Sequence, residues 1–183
     1  HLRSIHNGAR IYNQNQPWVT HASLQLGSAV EDFGRAGLLR DAYRKPVIYD
    51  EVKYEGNLPQ RWGNLSPQEM VYRIWVGTIA GAYVGHGETY LDKNDIIWWS
   101  KGGILKGQSP PRIAFLKQIL ETAPPEGIDP IDNCQDVHLA GKPGAYYLLA
   151  FGKDHALGLG AHGICLPFPT GRENPLLRKA SEQ

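Results

Sequence analysis

Glu51 is the residue in this sequence whose setting best suits chemistry. It lies near the end of the run VIYDEV at 47–52, and a loop rich in turn-forming residues follows. A carboxylate at the end of such a strand can act as a nucleophile or a general base, or it can simply cap a loop, and both readings stay open here. Because neighbours on a strand face opposite sides, we expect Asp50 to point away from Glu51. In the following loop Tyr54 is a candidate to orient Glu51 or a substrate, and Glu55 is expected to be a solvated residue.

A second candidate cluster is the segment GHGETY at 85–90. Its two glycines let a backbone or a substrate approach closely, and His86 and Glu88 fall on one side if the preceding strand continues. The alternative is a glycine-rich loop with a hydrogen-bonded histidine. An H-x-E triplet also occurs in zinc deaminases, but the P-C-x-x-C partner of that motif is absent from the sequence.

Three tryptophans are candidates for binding a ligand. Trp98 and Trp99 lie in a stretch from 89 to 108 that has neither helical nor strand periodicity, and such long loops are often functional. Adjacent indoles suit stacking on the apolar face of a sugar ring, although an indole can equally anchor a loop in the core. We expect one of the pair to do each. Trp62, in the loop after Glu51, is a further candidate for stacking on a sugar ring.

Histidines near the carboxyl ends of predicted strands suggest a different chemistry. His6 and His21 are more often structural in such positions, but together with His86 they would make a metal site of a barrel hydrolase. That class would also need an H-x-H pair and a strand-end aspartate, which the sequence does not display.

Short strands alternate with amphipathic helices along the first two thirds of the chain. The patterns predict strands at 1–6, 18–24, 47–52 and 82–86, with helices at 29–43, from Ser66-Pro67, and from Ser109-Pro110. In the second helix we expect Ser66 to cap and Glu69 to reach back to it. Such alternation is typical of an α/β fold with a parallel sheet, and four strands are half of what a closed (β/α)8 TIM barrel needs.

The residue pattern of the sequence changes after residue 122. We expect residues 1–122 to be half of a barrel, 123–135 to be a linker, and 136–183 to be a partial β domain with an unassigned tail. The two β-like segments of that domain, VHLAG and AYYLLAFG, flank a Lys142-Pro143-Gly144 turn.

Composition excludes several functional classes. Nineteen basic against 18 acidic residues among 183 give a net charge of +1, which does not suit a nucleic-acid binder. No apolar run approaches the roughly 20 residues of a membrane span, and two cysteines do not make a disulfide framework or a zinc cage. The chain begins at His1, and its one methionine is Met70. We therefore expect it to be part of a longer protein.

Several segments in order resemble one bacterial family. They are HLRSIHN at 1–7, PWVTHAS at 17–23, KPVIYDEVKYEG at 45–56, WGN at 62–64 and GHGETY at 85–90. They resemble a glycoside hydrolase-like family of retaining clan A TIM barrels, the group that includes cellulase-like family 5 enzymes. The resemblance runs from His1 to about Gly152.

The resemblance implies that this chain holds the fifth to eighth barrel strands. It also implies that Glu51, at the end of the seventh strand, is the nucleophile, and that the acid/base glutamate lies on the fourth strand, outside this chain. Glu88 is an alternative proton donor with less support from its spacing. The family carries a small β-sandwich after the barrel, whose beginning Val137 to Phe151 resembles, and beyond Lys153 the sequence departs from the family pattern.

Three hypotheses follow for function. The first is a fragment of a retaining glycoside hydrolase that acts on a carbohydrate without a cofactor. The second is a non-catalytic carbohydrate-binding or interaction module, and the third is the metal-dependent barrel hydrolase. Exposed sheet edges would make a half barrel dimerise, pair with its missing half or aggregate. The compartment stays open, with a cytoplasmic location slightly favoured.

Overall fold

A computed structural model describes residues 1–7, 10, 12–25, 35–91, 104–131, 137–142, 147–152 and 164–165. The elements in chain order are β1 Ala22–Gln25, α1 Ala36–Tyr43, β2 Val47–Glu51, β3 Glu55–Gly56, α2 Pro67–Ile79, β4 Ala82–Val84, β5 Glu88–Thr89, α3 Pro110–Glu121, β6 Asp129–Ile131, β7 Val137–Lys142, β8 Tyr147–Gly152 and β9 Ile164–Cys165. A 3₁₀ turn at Arg61–Gly63 lies between β3 and α2. The chain is therefore a mixed α/β protein, and no helix among these residues is long and apolar enough to cross a membrane.

The central sheet has three parallel strands in the order β1-β2-β4. Val47 faces Ala22 on one side and Ala82 on the other, which aligns the carboxyl ends of the three strands at one edge. Helices connect the strands, as the alternating pattern predicted. The half barrel itself stays a prediction.

The prediction of a strand at 1–6 is wrong. The segment runs beside β1 but forms no strand, because side chains occupy positions that ladder hydrogen bonds would take. The Arg3 carbonyl accepts from the Thr20 N–H at 2.8 Å, while the Arg3 N–H donates to the Thr20 hydroxyl. At the other end, the Asn7 side-chain oxygen accepts from the Gln25 N–H at 2.9 Å. These bonds still place His6 near the carboxyl end of β1.

Helix α2 begins where the sequence predicted. Ser66 accepts from the Glu69 N–H at 3.1 Å, and Pro67 takes the first helical position. Glu69 does not reach back to Ser66, since its carboxylate pairs with the buried guanidinium of Arg73. Helix α1 ends at Tyr43, where Arg44 adopts a left-handed conformation, and residues 29–34 of the predicted helix lie outside the described residues.

The core lies between the parallel sheet and the helices. Tyr49 of β2 and Met70 and Trp75 of α2 are fully buried, and Leu116 and Ile119 of α3 pack in the same cluster. Ala140 of β7 joins them, so the four-stranded antiparallel sheet β6-β7-β8-β9 contacts this core. Its first strand, β6, falls within residues 123–135, which the sequence analysis treated as a linker.

Candidate active site

A bulge near the carboxyl end of β2 sets the geometry of the site. Leu24 pairs with Tyr49, but the next residue of β1, Gln25, pairs with Glu51, so Asp50 is an extra residue without an opposite partner. A bulge breaks the alternation of side chains along a strand. Asp50 and Glu51 consequently contact the same side chain, His6, and the prediction that Asp50 points away from Glu51 is wrong.

Among the residues that the structure describes, three side chains surround the carboxylate of Glu51. Gln25 donates from its side-chain nitrogen to Oε2 at 2.8 Å, and Nε2 of His6 lies 3.7 Å from Oε1. Tyr54 forms a side-chain hydrogen bond to Glu51, and burial together with this bond raises the pKa of Tyr54. The tyrosine therefore keeps its proton at ordinary pH and stays a donor to the carboxylate. The Glu51 side chain is 30% exposed, so it remains accessible to a ligand.

Asp50 holds His6 in place. Nδ1 of His6 lies 2.7 Å from Oδ2 of Asp50, and the same oxygen accepts from the Ser23 hydroxyl. The hydrogen bond to Asp50 is the main reason that the pKa of His6 is raised above its ordinary value. Ser23 and Gln25 are both on β1, and the sequence analysis did not identify either of them. The sequence signal that could have identified them is their polarity, since both lie in an otherwise apolar strand.

Two aromatic rings stand beside this carboxylate. The Trp62 and Tyr54 rings meet edge to face, with centroids 5.8 Å apart and planes at 80°. Since Tyr54 also forms a hydrogen bond to Glu51, Tyr54 is the one residue between the Trp62 ring and the carboxylate. The structure thus brings together Glu51, His6, Tyr54 and Trp62 of the predicted site.

Glu55 forms the centre of a second, buried cluster. Its side chain accepts from the Tyr90 hydroxyl at 2.8 Å, the Gln108 N–H at 2.7 Å, the Ser109 N–H at 3.2 Å and the Ser109 hydroxyl. Burial alone would raise the pKa of Glu55, but these hydrogen bonds from Ser109, Gln108 and Tyr90 hold it below its ordinary value. The prediction of a solvated loop residue is wrong, since Glu55 is fully buried.

His86 and Glu88 belong to this second cluster. Glu88 accepts through Oε2 from the N–H groups of Lys106 and Gly107, at 2.7 and 3.0 Å. Nε2 of His86 lies 3.2 Å from the Ser109 hydroxyl and 3.8 Å from Oε1 of Glu88. The two side chains lie close together, although β4 ends at Val84 and does not continue through His86 as the prediction assumed. Their contacts tie them to the start of α3 rather than to Glu51.

Glu55, His86 and Glu88 are also the one group of described residues with the geometry to hold a metal ion, since their ligand atoms lie within 4.8 Å of one another. Both oxygens of Glu55 already accept two hydrogen bonds each. Three of the four donors come from residues 108–109, just before α3, where the positive end of a helix favours anions, and the fourth is the Tyr90 hydroxyl. The arrangement is therefore explained as an anionic cap on this turn.

Gly107 lies where the two carboxylates of this cluster approach each other. A Cβ at this position would be 2.5 Å from Oε2 of Glu55 and 2.5 Å from Oε1 of Glu88. We expect Gly107→Ala to lower the free energy of unfolding by about 1–3 kcal/mol through overpacking. Gly37→Ala is the control, because a Cβ there meets nothing within 4 Å and helical propensity should add about 0.5–1 kcal/mol. Urea denaturation measures both, and equal stabilisation by the two alanines would contradict the packing argument.

The remaining predicted site residues are not gathered at Glu51. His21 precedes β1 and bonds the Thr20 hydroxyl at 3.0 Å, so it lies at the amino edge of the sheet and not at the carboxyl end as predicted. Trp98 and Trp99 lie outside the described residues. Since His6, His21 and His86 have separate partners, the described residues do not form the predicted three-histidine metal site.

Comparison with known proteins relates this fold to one enzyme class. No protein-family model and no curated protein matches the sequence. A solved structure from Bacteroides vulgatus, described as a "putative glycoside hydrolase", is 44% identical over 82% of this chain, with a TM-score of 0.72. A family 5 glycoside hydrolase from the same species is 18% identical over 84% of the chain with a TM-score of 0.62, and a further glycoside hydrolase is 16% identical over 83% with a TM-score of 0.60.

These structural neighbours are glycoside hydrolases. This chain spans 29%, 42% and 44% of their respective lengths. The two less similar structures show the fold alone. The first structure adds a sequence relationship over most of the present chain, which agrees with the resemblance found in the motifs.

Proposed function

We propose that this segment carries the nucleophile of a retaining glycoside hydrolase, and that the nucleophile is Glu51. The observation that supports the proposal most is the setting of this carboxylate at the carboxyl end of β2. Gln25 and Tyr54 donate to it, it is partly exposed, and the Tyr54–Trp62 pair stands beside it. The similarity to glycoside hydrolases supports the same reaction class.

The chemistry requires each of these features. An oxygen of Glu51 would attack the anomeric carbon while the bond from that carbon to the leaving oxygen breaks, giving a glycosyl ester of Glu51. Water would then attack the same carbon and release the carboxylate. Donors on Gln25 and Tyr54 fix the carboxylate for the attack and stabilise it when it leaves. An indole at Trp62 offers an apolar surface for a sugar ring.

We propose that the proton donor comes from outside this segment. Retaining hydrolysis needs a second carboxyl group about 5–5.5 Å from the first. The carboxylate beside Glu51 is Asp50, and it is engaged by His6 and Ser23. Glu88, the alternative donor, accepts from two backbone N–H groups near α3. The missing donor would cost about 10²–10⁴-fold in rate, so we expect this segment alone to turn over ordinary glycosides slowly.

Covalent trapping tests the proposal despite the missing donor. Incubation with 2-fluoro glycosides that carry a dinitrophenyl leaving group should add one sugar to the protein, because this leaving group needs little protonation. Intact mass detects the adduct and peptide mapping should place it on Glu51. A folded protein that gives no adduct across a broad panel of sugars would contradict the proposal.

A carbohydrate-binding module without catalysis is the second candidate function. The edge-to-face pair of Tyr54 and Trp62 favours it, since half-buried aromatic rings bind sugars without chemistry. Saturation-transfer NMR with oligosaccharides would detect such binding. Binding without any adduct would support this candidate over the first.

We further propose that this segment associates through the outer edge of β4, which pairs with no further strand among the described residues. That strand ends the three-stranded sheet, and its Tyr83 is 68% exposed. A second copy or the remainder of a barrel would pair with this edge. Gel filtration with light scattering should show a mass that rises with concentration. A monomer at all concentrations would contradict the half-barrel proposal.

A further inference from the structure

His6 connects the two carboxylates of the bulge through its two ring nitrogens. Nδ1 lies 2.7 Å from Oδ2 of Asp50, and Nε2 lies 3.7 Å from Oε1 of Glu51. An ionised carboxylate only accepts hydrogen bonds, so Nδ1 carries a proton. In the neutral imidazole Nε2 then has none and presents a lone pair to Glu51.

This tautomer makes the contact with Glu51 depend on the charge of His6. The neutral ring sets a lone pair against a carboxylate, which gives no attraction. The imidazolium carries a proton on Nε2 and a positive charge, and both attract the carboxylate of Glu51. We propose that His6 is a positioning residue for Glu51: its imidazolium holds Oε1, and loss of its proton releases that oxygen. The catalytic consequence rests on the proposed function, whereas the change in contact does not.

The groups around His6 favour the imidazolium over the neutral ring. β2 faces the ring with Asp50 and Glu51, the following loop contributes the Tyr54 hydroxyl beside Glu51, and β1 contributes the uncharged Ser23 and Gln25. The bond to Asp50 raises the pKa of His6 above 6.5. The contact with Glu51 is thus complete at lower pH and is lost as the pH rises through this raised value.

NMR tests the change in contact without any substrate. The side-chain amide of Gln25 donates to Oε2 of Glu51, so its chemical shift reports where the carboxylate is held. We expect this signal to follow the titration of the His6 ring in the unmodified chain. In His6→Gln the transition should disappear, and in Asp50→Asn it should move to lower pH. The matched control is His21→Gln, which removes a histidine at the opposite edge of the sheet and should retain the transition.

The same variants also test whether the charge of His6 changes the rate of covalent trapping. Two charges at this separation attract by about 1 kcal/mol in water, which corresponds to about 5-fold. We expect the trapping rate to fall by about that factor as pH rises through the His6 titration, and His6→Gln to lack this step. A Gln25 signal that does not follow His6, or one that still does so in His6→Gln, would overturn the inference. If that signal behaves as expected and no adduct forms, the proposed function fails and the role of His6 in placing Glu51 stands.

Discussion

Replacing Glu51 with glutamine is expected to abolish the covalent sugar adduct. An amide oxygen is a poor nucleophile and a poor leaving group, so the rate of adduct formation should fall by about 10³-fold or more. Intact mass after incubation with the 2-fluoro glycosides measures the loss. Sugar binding should survive, because the substitution preserves the shape of the side chain and leaves Tyr54 and Trp62 in place.

Two controls make this result interpretable. Thermal unfolding should be nearly unchanged, because the Glu51 side chain is 30% exposed and lies outside the apolar core. Glu121→Gln removes a carboxylate that is 60% exposed at the end of α3 and should trap sugar at the rate of the unmodified chain. If Glu51→Gln still forms an adduct, or if the adduct maps to another residue, Glu51 is not the nucleophile.

The largest effect on stability is expected from Glu55→Gln. The buried carboxylate accepts four hydrogen bonds, and an amide would turn an NH₂ group towards one pair of those donors. Hydrogen bonds to charged groups and the cost of unpaired buried donors predict a loss of about 2–4 kcal/mol in the free energy of unfolding. Urea denaturation at pH 7 measures it.

The effect of Glu55→Gln should depend on pH with a definite sign. The pKa of Glu55 is lower in the folded chain than its ordinary value of 4.5, so its ionised form stabilises the fold fully above that value. The contribution is lost as the pH falls through the folded value. The difference between the unmodified chain and Glu55→Gln should therefore shrink below about pH 4. A difference that stays constant across this range would show that the carboxylate is not the stabilising form. Glu121→Gln again serves as control and should cost under about 0.5 kcal/mol.

The sequence predicts the local elements well where a single signal decides them. Ser66-Pro67 marks the start of α2 because a hydroxyl cap and a proline act within one turn. The apolar run before Glu51 predicts β2 because its burial comes from residues of the strand itself. The segment at 1–6 was predicted incorrectly because Asn7 and Thr20 compete with the ladder through their side chains, and a pattern of apolar residues does not register that competition.

The site was predictable in part for the same reason. Glu51, Tyr54 and Trp62 are close in sequence, so their proximity follows from one strand and one loop. Glu55 meets Ser109 from 54 residues away, and that contact depends on the packing of α3 against α2. The residue type at position 55 gives no sign that the side chain is buried, because a loop carboxylate beside a glycine is usually solvated. Asp50 was missed as the partner of His6, and Ser23 as a partner of Asp50, because the bulge changes which residues share a face.

That bulge also constrains how the chain can vary in length. Val47 and Tyr49 are buried, and by strict alternation Glu51 would share their face and enter the apolar interior. The extra residue at Asp50 shifts the alternation of side chains by one position. The Glu51 carboxylate therefore lies at the accessible edge of the sheet. Deleting one residue between Tyr49 and Glu51 would therefore do more harm than removing several from an exposed loop. An insertion there would shift the alternation a second time. Residue count in this strand is as much a part of the site as residue identity.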